Sequence, residues 1–218
     1  MKKIAIILVT FWALLGCSKD LGLQLNTTEV VMLSLDEHVI STTGTNVSFV
    51  SRDEFVATVN KTTGKITGRH VGKTVIDVVG DQGSNSVKVT IKPKYHVLID
   101  PIINWDASRA DIEKQCGKAD ETSDGNLIYF YGNANNNDKH IGTSYIFDNG
   151  KLKNIMILPN NKYLDDVLVH LAERYQYVGF QAGMYAFIDS MELEEAKTTV
   201  ATLKLSGQWA VMYQKANL

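Results

Sequence analysis

The chain has 218 residues, 44% of them hydrophobic, and carries 22 Lys and Arg against 24 Asp and Glu, a formal charge of −2. A balance this close to neutral gives no basic face for nucleic acid, so no nucleic-acid partner is expected. Two cysteines are too few for a cysteine metal cluster, and the length suits one large or two small domains.

Met1-Lys2-Lys3 places positive charge ahead of an uncharged, mostly apolar run from Ile4 to Gly16. About 13 residues cannot span a hydrocarbon core, which takes about 20, but they suit the core of a cleavable export signal. The run ends in Leu14-Leu15-Gly16-Cys17, which resembles the lipobox of bacterial lipoproteins, with Leu15 bulkier than the usual small residue. The resemblance implies a signal peptide over 1–16, cleavage after Gly16, lipid on Cys17 and a tether over 17–24. The membrane is then a partner through that lipid, since several acyl chains anchor stably. Loss of Lys2 and Lys3 leaves 20 basic and 24 acidic side chains, a charge of −4. Cys116 becomes the one remaining thiol, so no intramolecular disulfide forms. It closes a predicted helix and reads as a small packed residue rather than a nucleophile. The expected location is the bacterial cell envelope. Ser18 does not match inner-membrane retention, which favours the outer membrane, on either its periplasmic or its surface side.

Residues 25–93 read as short strands broken by turn formers every 8–12 residues or so, the spacing of an all-β sandwich or barrel. Thr74-Val75-Ile76-Asp77-Val78 and Val87-Lys88-Val89-Thr90-Ile91 alternate so that one face can enter a core. Phe55-Val56-Ala57-Thr58-Val59-Asn60, Gly64-Lys65-Ile66-Thr67-Gly68, Gly72-Lys73-Thr74-Val75-Ile76 and the closing Val87–Ile91 strand resemble the bacterial Ig-like domain, group 2. That resemblance implies a β-sandwich used as a spacer or adhesion module, with no catalytic residues to carry over.

After a linker at 94–101, residues 102–218 suggest an α+β domain of helix and three antiparallel strands, occurring twice. A helix is expected over 105–117, capped by Asp106 or Ser108 and closed by Gly117. Strands follow at 126–132, 142–147 and 151–158, the last two flanking Asp148-Asn149-Gly150, a strong hairpin signal. A second helix over 163–175 has Leu164, Val167, Leu168 and Leu171 on one stripe. Strands at 184–188, 198–205 and 208–214 complete the second unit, with Ser206-Gly207 turning the last pair. The element order resembles the β-lactamase-inhibitor-protein-like fold, in which such units present a sheet face to a protein partner.

Two-residue turns put Ala201, Leu203, Leu205, Ala210 and Met212 on one face, expected to be core. Val200, Thr202, Lys204, Trp209, Val211 and Tyr213 share the other. Trp209 and Tyr213 are thus candidates for an aromatic partner-binding surface. The same pairing puts Tyr145 and Phe147 there with Leu152 and Met156, but buries Lys151 and Lys153; a bulged turn would regroup them. The alternative is that these aromatics are core.

No catalytic constellation, cofactor motif or metal-ligand spacing emerges. The histidines 38, 70, 96, 140 and 170 are scattered, and Asp166 with His170 reads as a solvated helix pair. The loop 132–138 has one carboxylate, too little for calcium. Asp189-Ser190-Met191 matches a short bacterial O-glycosylation pattern at Ser190. The expected function is therefore a non-enzymatic envelope module: the Ig-like domain as spacer, the C-terminal domain as protein or glycan binder. The alternative is an inhibitor or assembly factor for an envelope enzyme.

Overall fold

A computed structural model describes residues 22–216; Cys17 and the signal region lie outside them. The first unit is a β-sandwich of two sheets. One sheet holds β1 (Glu29–Leu33), β7 (Gly83–Lys92), β6 (Gly72–Gly80) and β3 (Ser48–Ser51) in that order. The other holds β2 (Glu37–Val39), β5 (Lys65–Gly68) and β4 (Ala57–Val59). The alternation read in the sequence sets the faces. Ile76 and Val78 of β6, with Val87, Val89 and Ile91 of β7, are almost fully buried against Ile66, Phe49 and Val30.

The core begins earlier than expected. Leu23, assigned above to the tether, is buried at the pole of the sandwich. It fits because Gly44 has no Cβ, which would meet Leu23 Cδ1 at 2.2 Å. Strand β1 runs parallel to β7. The described chain therefore begins at one pole, near Gln82, and leaves β7 at the other.

The second unit runs α1 (Arg109–Cys116), β8 (Glu121–Ser123), β9 (Asn126–Phe130), β10 (His140–Asp148) and β11 (Lys151–Pro159). It continues with α2 (Leu164–Ala172), β12 (Gln176–Gln181), β13 (Met184–Ile188), β14 (Thr198–Leu205) and β15 (Gln208–Lys215). Each helix is followed by four strands, not three. Strand β8 was missed because all three of its residues are exposed and show no apolar alternation. Strand β12 was missed because Val178 and Gly179 interrupt its pattern at a register shift.

All eight strands form one sheet in the order β12-β13-β14-β15-β11-β10-β9-β8. The last strands of the two units meet antiparallel at its centre, so the halves are related by an approximate two-fold. Turn chemistry repeats with them. Asp124-Gly125 and Ala182-Gly183 both have positive φ at both positions, as do Asn149-Gly150 and Ser206-Gly207, the requirement of tight type I′ hairpins. From Asp124 to Ala182 is 58 positions, and from Asn149 to Ser206 is 57.

Helix α1 is shorter than expected because Ser108, not Asp106, caps it: Ser108 Oγ accepts from Asp111 N–H while the Asp111 carboxylate accepts from Ser108 N–H, a reciprocal cap. Trp105 precedes the helix. Helix α2 stops at Ala172, where Arg174 N–H and Tyr175 N–H both donate to the Leu171 carbonyl and the chain turns into β12. Ile112, Val167 and Leu171 drive the helices onto one face of the sheet. The linker is no free tether, since Val97 and Leu98 are buried in the same core.

Candidate functional site

The aromatics expected to form a partner surface on the C-terminal sheet belong instead to its core. Tyr213 is 0% exposed and Tyr145 2%, both beneath the helices. Tyr145 Oη accepts from Ile102 N–H at 3.1 Å. Val200, Thr202 and Val211, on the same face as Tyr213, are also buried, so the two faces of the β14–β15 hairpin are the reverse of the expected assignment. Phe147 packs half-buried against this core. Trp209 shares the face by alternation and lies at the sheet's end, half-buried, with Lys204 Nζ 5.9 Å from its ring centroid. The physical reason is docking: both helices pack on this side of the sheet through Ile112, Val167 and Leu171.

The β10–β11 hairpin shows how register decides such a question. Ile146 pairs with Asn154 but Phe147 pairs with Leu152, so Lys153 is an extra residue in the ladder. That bulge moves Leu152 onto the face of Ile155 and Ile157, where all three are buried. Lys151 and Lys153 are exposed instead, and Met156 is left on the opposite face.

That opposite face is the candidate site. Across its centre one row runs Ile128, Ser144, Met156, Met212, Ala201, by strand register. On the same face lie Leu158 of β11, which pairs with Gly142, and the Ala210–Leu203 pair of β15 and β14. Except for the small Ala210, all are half-buried, and both helices place their buried residues on the other side. Antiparallel sheets commonly leave one face to solvent, with polar residues on it. Here the centre of the free face is apolar, bordered on one side by the row Asn154, Gln214, Thr199, and its two central methionines are side chains that adapt to irregular partners.

The densest polar cluster lies elsewhere, between the two units. The Glu173 carboxylate accepts from Ser34 Oγ at 2.5 Å, Lys94 N–H at 2.9 Å and Tyr95 N–H at 2.9 Å. Its carbonyl accepts from Val71 N–H at 2.7 Å. Burial opposes the Glu173 charge, but the donors from Ser34, Tyr95 and Lys94 outweigh it and lower its pKa. Arg174 grips Asp100 through Nε at 2.5 Å and Nη2 at 3.1 Å, and His170 Nε2 lies 3.3 Å from the same carboxylate. Burial again opposes the charge; the His170 and Arg174 contacts prevail and bring Asp100 to about 2. A cleft of about 440 Å³ opens here between Arg174, Tyr175, Trp105 and Lys197. Its polar groups are engaged with one another: Asp189 Oδ1 accepts from Lys197 and Thr198 N–H, and Trp105 Nε1 donates to Thr198 Oγ1. The cluster is a latch between units.

A second histidine holds the strap between them. His140 Nδ1 accepts from Ile99 N–H at 2.9 Å while Nε2 faces Thr143 Oγ1 at 2.9 Å. Accepting at Nδ1 requires a neutral ring, and burial lowers the His140 pKa to about 4. Between the ordinary histidine value of about 6.5 and this one, the unfolded chain binds the extra proton. The His140 contribution to stability is therefore complete above about pH 6.5 and falls as pH drops towards 4. Urea unfolding should show a loss of about 2–3 kcal/mol from pH 7.5 to 4.5, and His140→Gln should remove most of that slope; an unchanged slope would show that other groups carry it.

Asp166 and His170 are not brought together. Asp166 pairs with Lys139 at 2.8 Å on the surface, whereas His170 is fully buried beside Asp100. Cys116 is half-buried with Sγ 3.9 Å from Tyr145 Oη. In the 132–138 loop, the Asn133 and Asp138 side-chain oxygens close the loop's own turns. Among the described residues no group of three or more His, Cys, Asp or Glu is placed to hold a metal ion. Ser190 lies between β13 and β14, half-buried, its hydroxyl donating to the Glu192 carbonyl.

No protein-family model matches the chain, and no curated protein does. Among solved structures, an intimin mutant of EHEC O157:H7 is similar at 13% identity over 60% of this chain and 86% of that one, with a TM-score of 0.27. The extracellular cadherin domains 1–4 of protocadherin gamma B7 are similar at 9% identity over 89% of this chain and 49% of that one, also with a TM-score of 0.27.

Proposed function

We propose that this chain is a lipid-anchored lipoprotein of the bacterial envelope and a non-enzymatic binding module, attached through Cys17, whose C-terminal sheet binds a protein partner. The observation that carries the reading is the helix-free apolar face centred on Met156 and Met212. A face with an apolar centre built on two methionines suits a protein partner better than a glycan. The Ig-like unit fits the role of spacer: the chain enters it at the pole away from the latch. Its ten-residue β7 spans roughly 33 Å at about 3.3 Å per residue. An inhibitor or assembly factor for an envelope enzyme would use the same sheet face, and the paired helix-and-strand units are what favours it as the second reading.

Photo-crosslinking in cells tests both halves of the proposal. A photoreactive residue at Met212 should give a discrete adduct, one at Lys114 on α1 should not, and Met156→Glu should abolish the Met212 adduct. Cys17→Ser should move the chain out of the membrane fraction. Equal labelling from Met212 and Lys114 would end the binding-face reading, and unchanged sedimentation of the Cys17 variant would end the anchor.

A further inference from the structure

The two edges of the eight-stranded sheet are unlike. Strand β8 is three exposed residues beginning with a charge, Glu121, a short polar edge of the kind that discourages pairing. Strand β12 has six residues, and from Tyr175 to Ile188 the chain has no Asp, Glu, Lys or Arg. Tyr177, Val178 and Phe180 are 46%, 51% and 57% exposed there. Apart from the Tyr177 carbonyl, which accepts from the exposed Gln176 side chain at 3.2 Å, this apolar, uncharged edge offers unpaired strand backbone, a template for another strand.

The order of residues on β12 says which strand. Gln176-Tyr177-Val178-Gly179-Phe180-Gln181 reads alike from both ends: Gln, aromatic, a central pair, aromatic, Gln. Two antiparallel copies related by a two-fold through that pair set Gln176 opposite Gln181, Tyr177 opposite Phe180, and Val178 opposite Gly179. In a regular strand Tyr177 and Phe180, three apart, would point to opposite faces and could not meet in this way. The bulge removes the conflict. Tyr177 pairs with Phe187 and Phe180 with Tyr185, while Gly179 alone pairs with Ala186. Both aromatics therefore share a face, and their rings lie on Phe187 and Tyr185 at centroid distances of 5.4 and 4.6 Å. A Cβ at Gly179 would meet nothing within 4 Å, so the copy's Val178 has room there. With no charge on the edge, self-pairing brings no like charges together, and amide and aromatic cross-strand pairs are favourable.

We propose that β12 is a self-complementary docking edge whose occupant is β12 of a second copy, joining two sheets into one of sixteen strands about a closed two-fold. Such a contact is isologous and closes on itself, so it gives dimers and no filament. A six-residue edge covers less than the roughly 1,200 Å² of a stable interface, so the dimer is weak in dilute solution and strengthens as copies are concentrated. The inference is independent of what binds the open face.

Disulfide trapping on the full chain in detergent, in a Cys116→Ser background, tests it. The double variant Gln176→Cys with Gln181→Cys places the thiols opposite each other between copies. Mild oxidation should then give at least tenfold more covalent dimer than either single variant. Adding Val178→Lys, which sets two cations at the centre of the pairing, should reduce that yield at least tenfold while circular dichroism stays unchanged. Equal trapping by the single variants, a yield insensitive to Val178→Lys, or no trapped dimer at high concentration would each overturn the proposal.

Discussion

Tyr213→Ala is expected to destabilise the chain by about 3–5 kcal/mol, the cost of removing a large buried side chain and leaving a cavity. The ring is 0% exposed, lies 5.9 Å from Tyr175 in an edge-on contact, and pairs across the ladder with Ile155. Its hydroxyl is the informative part. Tyr213 Oη is buried with no hydrogen-bond partner among the described residues, and burial raises its pKa well above the ordinary value. An orphaned polar group costs its desolvation, about 1–3 kcal/mol. Tyr213→Phe should therefore leave stability unchanged or raise it by about 1 kcal/mol. A residue serving a partner surface would show the opposite pattern in urea denaturation: little stability lost in the alanine variant. If Tyr213→Phe destabilises strongly, the hydroxyl has a partner, such as a buried water.

Glu173→Ala is expected to uncouple the two units. One carboxylate receives Ser34 from the sandwich and the Lys94 and Tyr95 amides from the strap, and hydrogen bonds to a charged group are worth about 1.5–3 kcal/mol each. These act as a unit, so the loss should be about 3 kcal/mol rather than their sum. Calorimetry should show the unfolding of the two units separate, and small-angle scattering should show a broader spread of shapes. An unchanged calorimetric profile would show that the latch does not couple them. Acid should mimic the substitution. The folded-state pKa of Glu173 is lowered, so the latch is intact above the ordinary glutamate range and is lost as pH falls through the lowered value.

The parts legible in the sequence are those set by near neighbours. Alternation in β6 and β7 fixed which residues enter the sandwich, and Asn149-Gly150 and Ser206-Gly207 marked hairpins because positive φ is a local requirement. The helix stripe at Val167 and Leu171 was equally plain. Strand β8 was not, because three exposed polar residues form a strand only through their partner β9. The latch was not either: Glu173 reads as a solvated charge at a helix end until Ser34 and the Lys94–Tyr95 backbone are folded against it.

The face of the C-terminal sheet marks the boundary between the two kinds of information. Period two divides Val200, Thr202, Val211 and Tyr213 from Ala201, Leu203, Ala210 and Met212 without ambiguity. Both sets are largely apolar, so composition cannot say which is covered. Tertiary structure decides, through the helices that dock on the Tyr213 side and the single extra residue at Lys153 that turns Leu152 inward. The sequence alone determined the apolar run that ends at Cys17, the strand periods and the repeated turns, because each depends on residues a few positions apart. The buried face, the strap and the latch depend on groups brought together from distant parts of the chain, and only the folded molecule brings them together.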